Sequence, residues 1–564
     1  MNTMFHAEKS DFAGVSDDSA MSKSSELVGS KDSSQKLDSY RVDGIGLFHA
    51  QDELEFAISP NQIYDQQCVK EFVDDLYSDA VSPPFQSCED EAKTAELIEP
   101  KKRQHHVFPT ESFEILRKYG SRRLKLDVKS SITSHEMQSD TTLSTETIIR
   151  VAAEKFIQSM SESSNELSML NHPYPSYLLA HSGENSEGVQ LIQNLLSCAE
   201  KVADNQYERA LKFLKECDKK SFRLGTPIQR LVFYFSRALF EKIANETGRI
   251  TPKDLEEKHG DPMESVCCPS MNMLISFHKE HPHSQVTKLV GVQAILDHLK
   301  EARKVHVIDL QIRSGVQWII LMQALAARTE HPIQHLKITA VGIKWKSIMD
   351  ETGRQLTAFA QSLNLEFTFK IVLVENFLDL NHTLFDVVAD ESVAIYAPYV
   401  LATIVGRVDK LDHLMMVMKN MNPCVMIVTE FEVNCNSPTF IGRFVESLFF
   451  FGAFFDSLGD CFKNDETSRL KAESTWFGSS ISNILAADGD QRKFRHVNIN
   501  VWRAFFARVG LVEIELSVSS LDQACLGLQS LPYGSSCTLY KDGKCLTLGW
   551  KGSPLSSLSA WKFQ

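Results

Sequence analysis

The chain has 564 residues, 43% of them hydrophobic, and a net charge of −14 at pH 7. That length and apolar content exceed one average domain and suffice for a large core. No run of eighteen apolar residues suggests a membrane span, and the opening MNTMFHAEKSDF has no apolar stretch of secretory-leader type. Residues 1–100 hold 21 Asp and Glu against 7 Lys and Arg, so the whole excess sits in an acidic tail. The remaining residues are balanced, which neither excludes nor argues for nucleic-acid contact by the body.

Twelve cysteines are scattered without a C-x-x-C pair, so no metal or redox site is expected. Residues 1–140 read as a disordered acidic region, because a stretch such as DDSAMSKSSELVGSKDSSQ cannot bury enough surface to offset its ordering entropy. Within it, YDQQCVKEFVDDLYSDAVSPPF (64–85) aligns Val69, Phe72, Val73 and Leu76 on one helical face among acids. That pattern suits an activation segment that folds on a partner, or a solvated linker. Two basic clusters follow, with Lys101, Lys102 and Arg103 in the first and Arg122, Arg123 and Lys125 in the second. They are candidate nuclear import signals, nucleic-acid arms or solvated loops.

Residues 141–187 read as a helix and a linker. Ser144 and Thr147 approximate an N-cap, and Ile148, Ala152 and Phe156 follow at i, i+4, i+8. The main body is expected from Gly188. VQLIQNLLSCAEKVADNQYERALKFLKECDKKS makes two helices, the first with a stripe of Leu191, Leu195, Cys198/Ala199 and Val202, the second with Ala210, Phe213 and Leu214. A third helix starts at Thr226-Pro227. Such a leucine stripe serves an internal core or a dimer surface equally well.

Beyond residue 290 strand and helix periods alternate. Strands are predicted at 305–309, 336–342, 365–371, 393–399 and 424–430, separated by helices at 316–328, 353–363 and 408–420. This order implies an α/β fold with a parallel, doubly wound sheet. A long aromatic helix, a polar link, a helix around Trp502 and a hairpin turning at Asp542-Gly543 complete the chain.

The first strand and its loop, KVHVIDLQIRSGVQW (304–318), resemble the opening of a cofactor-binding sheet. A phosphate or nucleoside loop needs glycines at two or three set positions so that backbone N–H groups can approach the ligand. Here Leu310, Gln311, Ile312 and Arg313 precede a single glycine, Gly315, and no G-K-[ST], G-x-S-x-G or H-E-x-x-H follows. Catalytic, cofactor and metal residues are therefore expected to be absent. Asp309 is expected to cap the next turn, and His306 to be a satisfied core histidine.

The stretch VHVIDLQIRSGVQWIILMQALAAR resembles the VHIID motif of the plant GRAS regulators, through Val305, His306, Val307, Ile308, Asp309, Gly315, Gln317 and Trp318. Other blocks of that family occur in order. LIQNLLSCAEKVADNQYERA resembles the first leucine-rich region and GRQLTAFAQSLNLEFTF the second. SPTFIGRFVESLFFFGAFFDSL resembles the PFYRE region through Pro438, Arg443, Phe444 and Glu446, continuing to Arg495. The SAW close is matched by Trp550, Ser559, Ala560 and Trp561.

The resemblance implies a GRAS domain over 188–563, divided at 188–270, 271–343, 344–380, 381–500 and 501–563. It implies a Rossmann-like, methyltransferase-type core with an added α-helical cap, and a nuclear transcriptional regulator that associates with other transcription factors. GRAS–GRAS dimers through the leucine-rich helices, and DNA contact direct or through a partner, are implied too; DNA-contacting residues are not. An S-adenosylmethionine-dependent small-molecule methyltransferase is the alternative on the same core. Ile319 and Leu310 depart from the family's usual proline and phenylalanine, and the tail's QDELEFA (51–57) lacks the rest of a DELLA motif. Arg443 and Glu446, three apart on one helix, are expected to pair locally or to clamp that helix to the sheet.

Overall fold

The computed structural model describes residues 143–161, 183–248, 270–343 and 346–564. The acidic tail, the 64–85 segment and both basic clusters lie outside the described residues.

Four helices come first: α1 (Thr145–Ser161), α2 (Gly183–Ala203), α3 (Tyr207–Asp218) and α4 (Pro227–Thr247). Their ends follow local chemistry. Ser144 Oγ accepts from the Thr147 N–H at 3.2 Å to start α1. A capping box between Thr226 and Gln229 starts α4, and Gly248, at φ 61°, closes it in the left-handed conformation. Leu191, Leu195, Cys198, Ala199 and Val202 are all buried, in one core with Ile149 and Ala152 of α1 and Phe235 of α4. The leucine stripe is thus internal, so any partner surface on α2 must use its other faces. Helix α1 joins this core although it precedes Gly188.

Helices α5 (Met271–Glu280) and α6 (Pro282–His298) lead to the alternating region: β1 (Lys304–Asp309), α7 (Val316–Ala326), β2 (His335–Gly342), α8 (Lys346–Ser362), β3 (Phe367–Leu373), β4 (Ser392–Pro398), α9 (Val408–Asn420) and β5 (Val425–Phe431). The chain then returns to the helical unit with α10 (Phe440–Cys461), α11 (Glu466–Ala472), a π-helical turn (Glu473–Gly478) and α12 (Ser479–Leu485). It closes with α13 (Ile499–Arg508), β6 (Leu511–Ile514), α14 (Val518–Gln529), β7 (Cys537–Asp542), β8 (Cys545–Trp550) and β9 (Ser553–Phe563).

One sheet runs in the order β3-β2-β1-β4-β5-β9-β8-β7. The first five strands are parallel. β9 is antiparallel to β5 along one edge, while its other edge pairs with β8 through Leu558 and with β6 from Ala560 onward. Helices cover both faces. Val305, Val307, Ala394 and Ile427 face a core shared with α6, α7 and α8, whereas Ile308, Ile395 and Met426 face one shared with α9 and α13. Burial on both sides accounts for the continuous apolar runs of these strands.

The polar link expected after the aromatic helix is instead largely helical. Asp465 caps α11 by accepting from the Ser468 N–H at 3.0 Å. Charge is buried where α11 meets the π-helical turn: Glu473, fully buried, takes Arg230 at 2.9 Å and Arg469 of α11 at 3.1 Å. In this part a buried ion cluster stands where an apolar stripe would mark a helix, whereas α12 buries Ile481, Ile484 and Leu485. Among the described residues no helix is long and apolar enough to cross a membrane.

Candidate functional site

Parallel sheets of this kind present ligand sites at the carboxyl ends of their strands, beside the point where strand order reverses. In this sheet that point lies between β1 and β4, and β1 delivers Asp309 to it.

Asp309 is fully buried. Its Oδ1 accepts the Gln311 N–H at 3.0 Å, and its Oδ2 accepts Trp318 Nε1 at 2.9 Å and Gln317 Nε2 at 3.2 Å. The carboxyl therefore caps the turn, as its place in the motif suggests, and also anchors the first turn of α7. Burial raises its pKa to about 7, against the pull of these donors. Trp318 is buried with its indole edge-on to Tyr396 at 5.2 Å, and Leu310 is buried as well. A group placed to bind a ligand hydroxyl is thus fully engaged within the protein.

Gly315 has a structural reason of its own. It sits at φ 70°, and a Cβ there would come within 2.6 Å of Thr352 Cγ2 and 3.3 Å of Leu356 Cδ1. The glycine lets α8 close on the loop, and Thr352 Oγ1 donates to the Arg313 carbonyl at 2.6 Å. Gly315→Ala is expected to lose about 2 kcal/mol or more, since strain in the left-handed region adds to the clash; a urea titration checks it.

His306 is fully buried in β1, its Nε2 2.8 Å from Thr339 Oγ1 and its Nδ1 3.2 Å from Glu391 Oε2. Burial, reinforced by Lys337, holds its pKa near 3, so it is neutral. Val305, Val307 and Ile308 are fully buried core.

Four further residues gather at this edge, Arg313 from within the motif stretch and three from outside it. Glu430, next to last in β5, accepts the N–H groups of Leu401 and Ala402 at 2.9 and 3.3 Å; burial lifts its pKa to about 8. Tyr399, after β4, adopts φ 56°, an outlier for a bulky side chain. Arg313 lies over the Trp476 ring at 5.6 Å, and Lys288 projects from α6 within electrostatic reach of Arg313 and Asp309. An acid near the end of a buried strand is the one sequence signal that could have found Glu430. The others come from separate elements.

Glu430 also dictates a pH effect. Its folded pKa lies above the ordinary 4.5, so the folded chain holds the proton more tightly than the unfolded one. The contribution is full below about pH 4.5 and is lost as pH rises through 8. Glu430→Gln should therefore gain on the wild type between pH 5 and 8, by on the order of a few kcal/mol in unfolding free energy.

The remaining motif residues are distributed elsewhere. Arg443 is buried in α10, and donates to Ile484 O at 3.0 Å, Pro438 O at 3.2 Å and Asp488 at 2.6 Å. It ties α10 to the segment after α12, within the helical unit, so it is not a clamp onto the sheet. Phe444 is fully buried in the helical core, and Glu446 lies on the same helix. Arg495 donates to Gly489 O at 2.9 Å and to Asn436 Oδ1 at 3.3 Å. Trp550 Nε1 donates to Asp456 at 2.8 Å, joining β8 to α10. Ser559 Oγ accepts from Trp561 Nε1 at 2.8 Å, and Ala560 pairs with Ile427. Among the described residues, no group of three His, Cys, Asp or Glu could hold a metal ion.

The GRAS domain family matches residues 191–562. The DELLA protein RGL1 of Arabidopsis thaliana is 30% identical over 378 residues, covering 66% of this chain and 70% of that protein. The DELLA protein RGA, also of Arabidopsis thaliana, is 29% identical over 393 residues, covering 69% and 64%. The chain spans between three-fifths and two-thirds of the length of several of these curated relatives, 62% in the case of GAI1 of Vitis vinifera. The crystal structure of SCL7 of Oryza sativa is similar at 27% identity and a TM-score of 0.57, covering 66% of this chain and 99% of that one. A match of this extent, over the body that carries every motif block, decides the matter: the chain belongs to the GRAS domain family.

Proposed function

We propose that the protein is a nuclear transcriptional regulator of the GRAS type, acting by association with other transcription factors rather than by catalysis. The family match over 191–562 carries this reading, and the similarity to DELLA proteins supports it. The parallel strand order β3-β2-β1-β4-β5 supports reading the core as Rossmann-like, of methyltransferase type, with the helical unit as its cap. The use of Asp309 and Gly315 inside the protein favours a regulatory platform over a methyltransferase.

In this reading residues 1–140 form an acidic recruiting region, 141–187 a helix and linker, and 188–563 the GRAS domain with its five regions. Lys101, Lys102, Arg103, Arg122, Arg123 and Lys125 direct nuclear import. Pairing with a second GRAS chain uses faces of the leucine-rich helices other than the buried stripe, and DNA is reached directly or through the partner.

A fluorescent fusion of the full chain, tethered to a reporter promoter through a foreign DNA-binding domain, tests the proposal. Nuclear accumulation and a several-fold change in reporter output are expected, and exchange of the six basic residues for alanine should disperse the fusion. A nuclear fusion without effect on the reporter contradicts regulation by recruitment. Gel shifts across a salt series separate direct from partner-borne DNA contact, because direct phosphate contacts give a steep salt slope. Calorimetry with S-adenosylmethionine should show no heat of binding.

A further inference from the structure

Beside the carboxyl ends of β1 and β4, two positive side chains come together among carboxyls that serve other donors. Arg313 enters from the β1–α7 loop, within electrostatic reach of Asp309, Tyr396, Tyr399 and Glu430. Lys288 enters from α6, beside Arg313 and Asp309, with His278 of α5 next to it. Both cationic side chains are only partly exposed, although Thr287, Ile312 and Ser314 beside them are buried.

Their partners are few. Among the described residues Lys288 has no hydrogen bond or ion pair. Arg313 makes one long hydrogen bond, to Gln311 Oε1 at 3.4 Å, besides its stacking on Trp476. The nearby carboxyls are engaged with other donors: Asp309 with Gln311, Gln317 and Trp318, and Glu430 with Leu401 and Ala402. Burial also favours their neutral forms, at about 7 and about 8, which leaves the cations with little opposing charge. Lys288 responds accordingly: burial first, then Arg313, depresses its ammonium to about 7. His278 Nδ1 is buried with no partner. Tyr399 holds its outlying backbone conformation here, with its hydroxyl beside Ser556 and Thr287, and such strain gathers at ligand sites.

We propose that Lys288 and Arg313 form a binding site for a small anion, a carboxylate or a phosphate ester, beside the carboxyl ends of β1 and β4. The guanidinium offers a planar fork of N–H donors and the ammonium a point charge, the combination that recognises either oxyanion. Trp476 belongs to the helical unit, so an anion on Arg313 also braces that unit against the sheet. The site joins Arg313, a residue within the VHIID stretch, to Lys288 from outside it, and is independent of the regulator reading.

The test is thermal melting of the full chain with inorganic phosphate and with benzoate, at ionic strength held constant with chloride. A saturable rise in Tm is expected with at least one probe. Phosphate alone assigns the phosphate ester, and benzoate alone the carboxylate. Lys288→Met and Arg313→Gln should each weaken binding about ten- to a hundredfold, as loss of a charge-assisted hydrogen bond does. In the absence of either anion, Lys288→Met should melt no lower than the wild type.

A readout on the wild-type chain keeps the proposal open to refutation if the variants fold poorly. An amine with a depressed pKa acylates readily, so Lys288 should be modified early by an N-hydroxysuccinimide ester and protected by the effective anion. No saturable shift with either probe, an undiminished shift in both variants, or acylation of Lys288 indifferent to the anion would overturn it.

Discussion

Trp561→Ala is expected to lower the unfolding free energy by about 3–5 kcal/mol, the range for truncating a large buried aromatic. Trp561 is buried at the far end of β9, its ring 4.6 Å from Phe506 of α13 and its indole N–H on Ser559. Its backbone faces Met426 of β5 on one side and Glu513 of β6 on the other. β9 is the seam between the parallel and antiparallel parts of the sheet, so the cavity opens where the two parts and α13 meet. Neighbours held in three separate elements cannot all collapse into that space, which places the expectation toward the upper end of the range. Denaturant titration reads the loss, and binding of partners should fall with it. An unchanged transition with lost partner binding would make Trp561 an interface residue instead.

Asp309→Ala should be nearly as damaging, at about 2–5 kcal/mol, because the indole N–H of Trp318 and the amide of Gln317 lose their acceptor in a dry site. Asp309→Asn should lose less, since an amide oxygen can still accept from Trp318. The pair of variants distinguishes two roles for the motif aspartate. A ligand-binding acid would weaken binding while leaving the melting transition in place, whereas an acid that holds loop and helix together would shift the transition itself. Stability equal to the wild type in Asp309→Ala would refute the scaffold role.

Legibility of the fold varies with the kind of burial. The parallel strands are legible to within two residues, because a strand covered on both faces is a continuous apolar run too short to make a buried helix. The apolar spacing of α9 marks its observed range, 408–420. Helix α11 and the π-helical turn read as a polar link, because Arg230, Arg469 and Glu473 bury charge against charge, and the apolar residues Ile481, Ile484 and Leu485 of α12 span too few turns to mark a helix. The candidate site is less legible. Asp309 and Gly315 stand out in the motif, but Lys288, Tyr399, Glu430 and Trp476 meet there from α6, β4, β5 and the π-helical turn, with no pattern of spacing among them.

By itself, the order of residues determined the α/β architecture, the capped helix starts and the family, since periodicity, caps and motif blocks are local properties. Only the tertiary structure decided what those residues do. It turned the leucine stripe inward, closed α8 onto Gly315, gave Asp309 to Trp318 and Gln317, and left Lys288 and Arg313 beside carboxyls engaged with other donors. Contacts between distant elements depend on which strands become neighbours, and the strand order that brings β4 beside β1 is a property of the whole sheet.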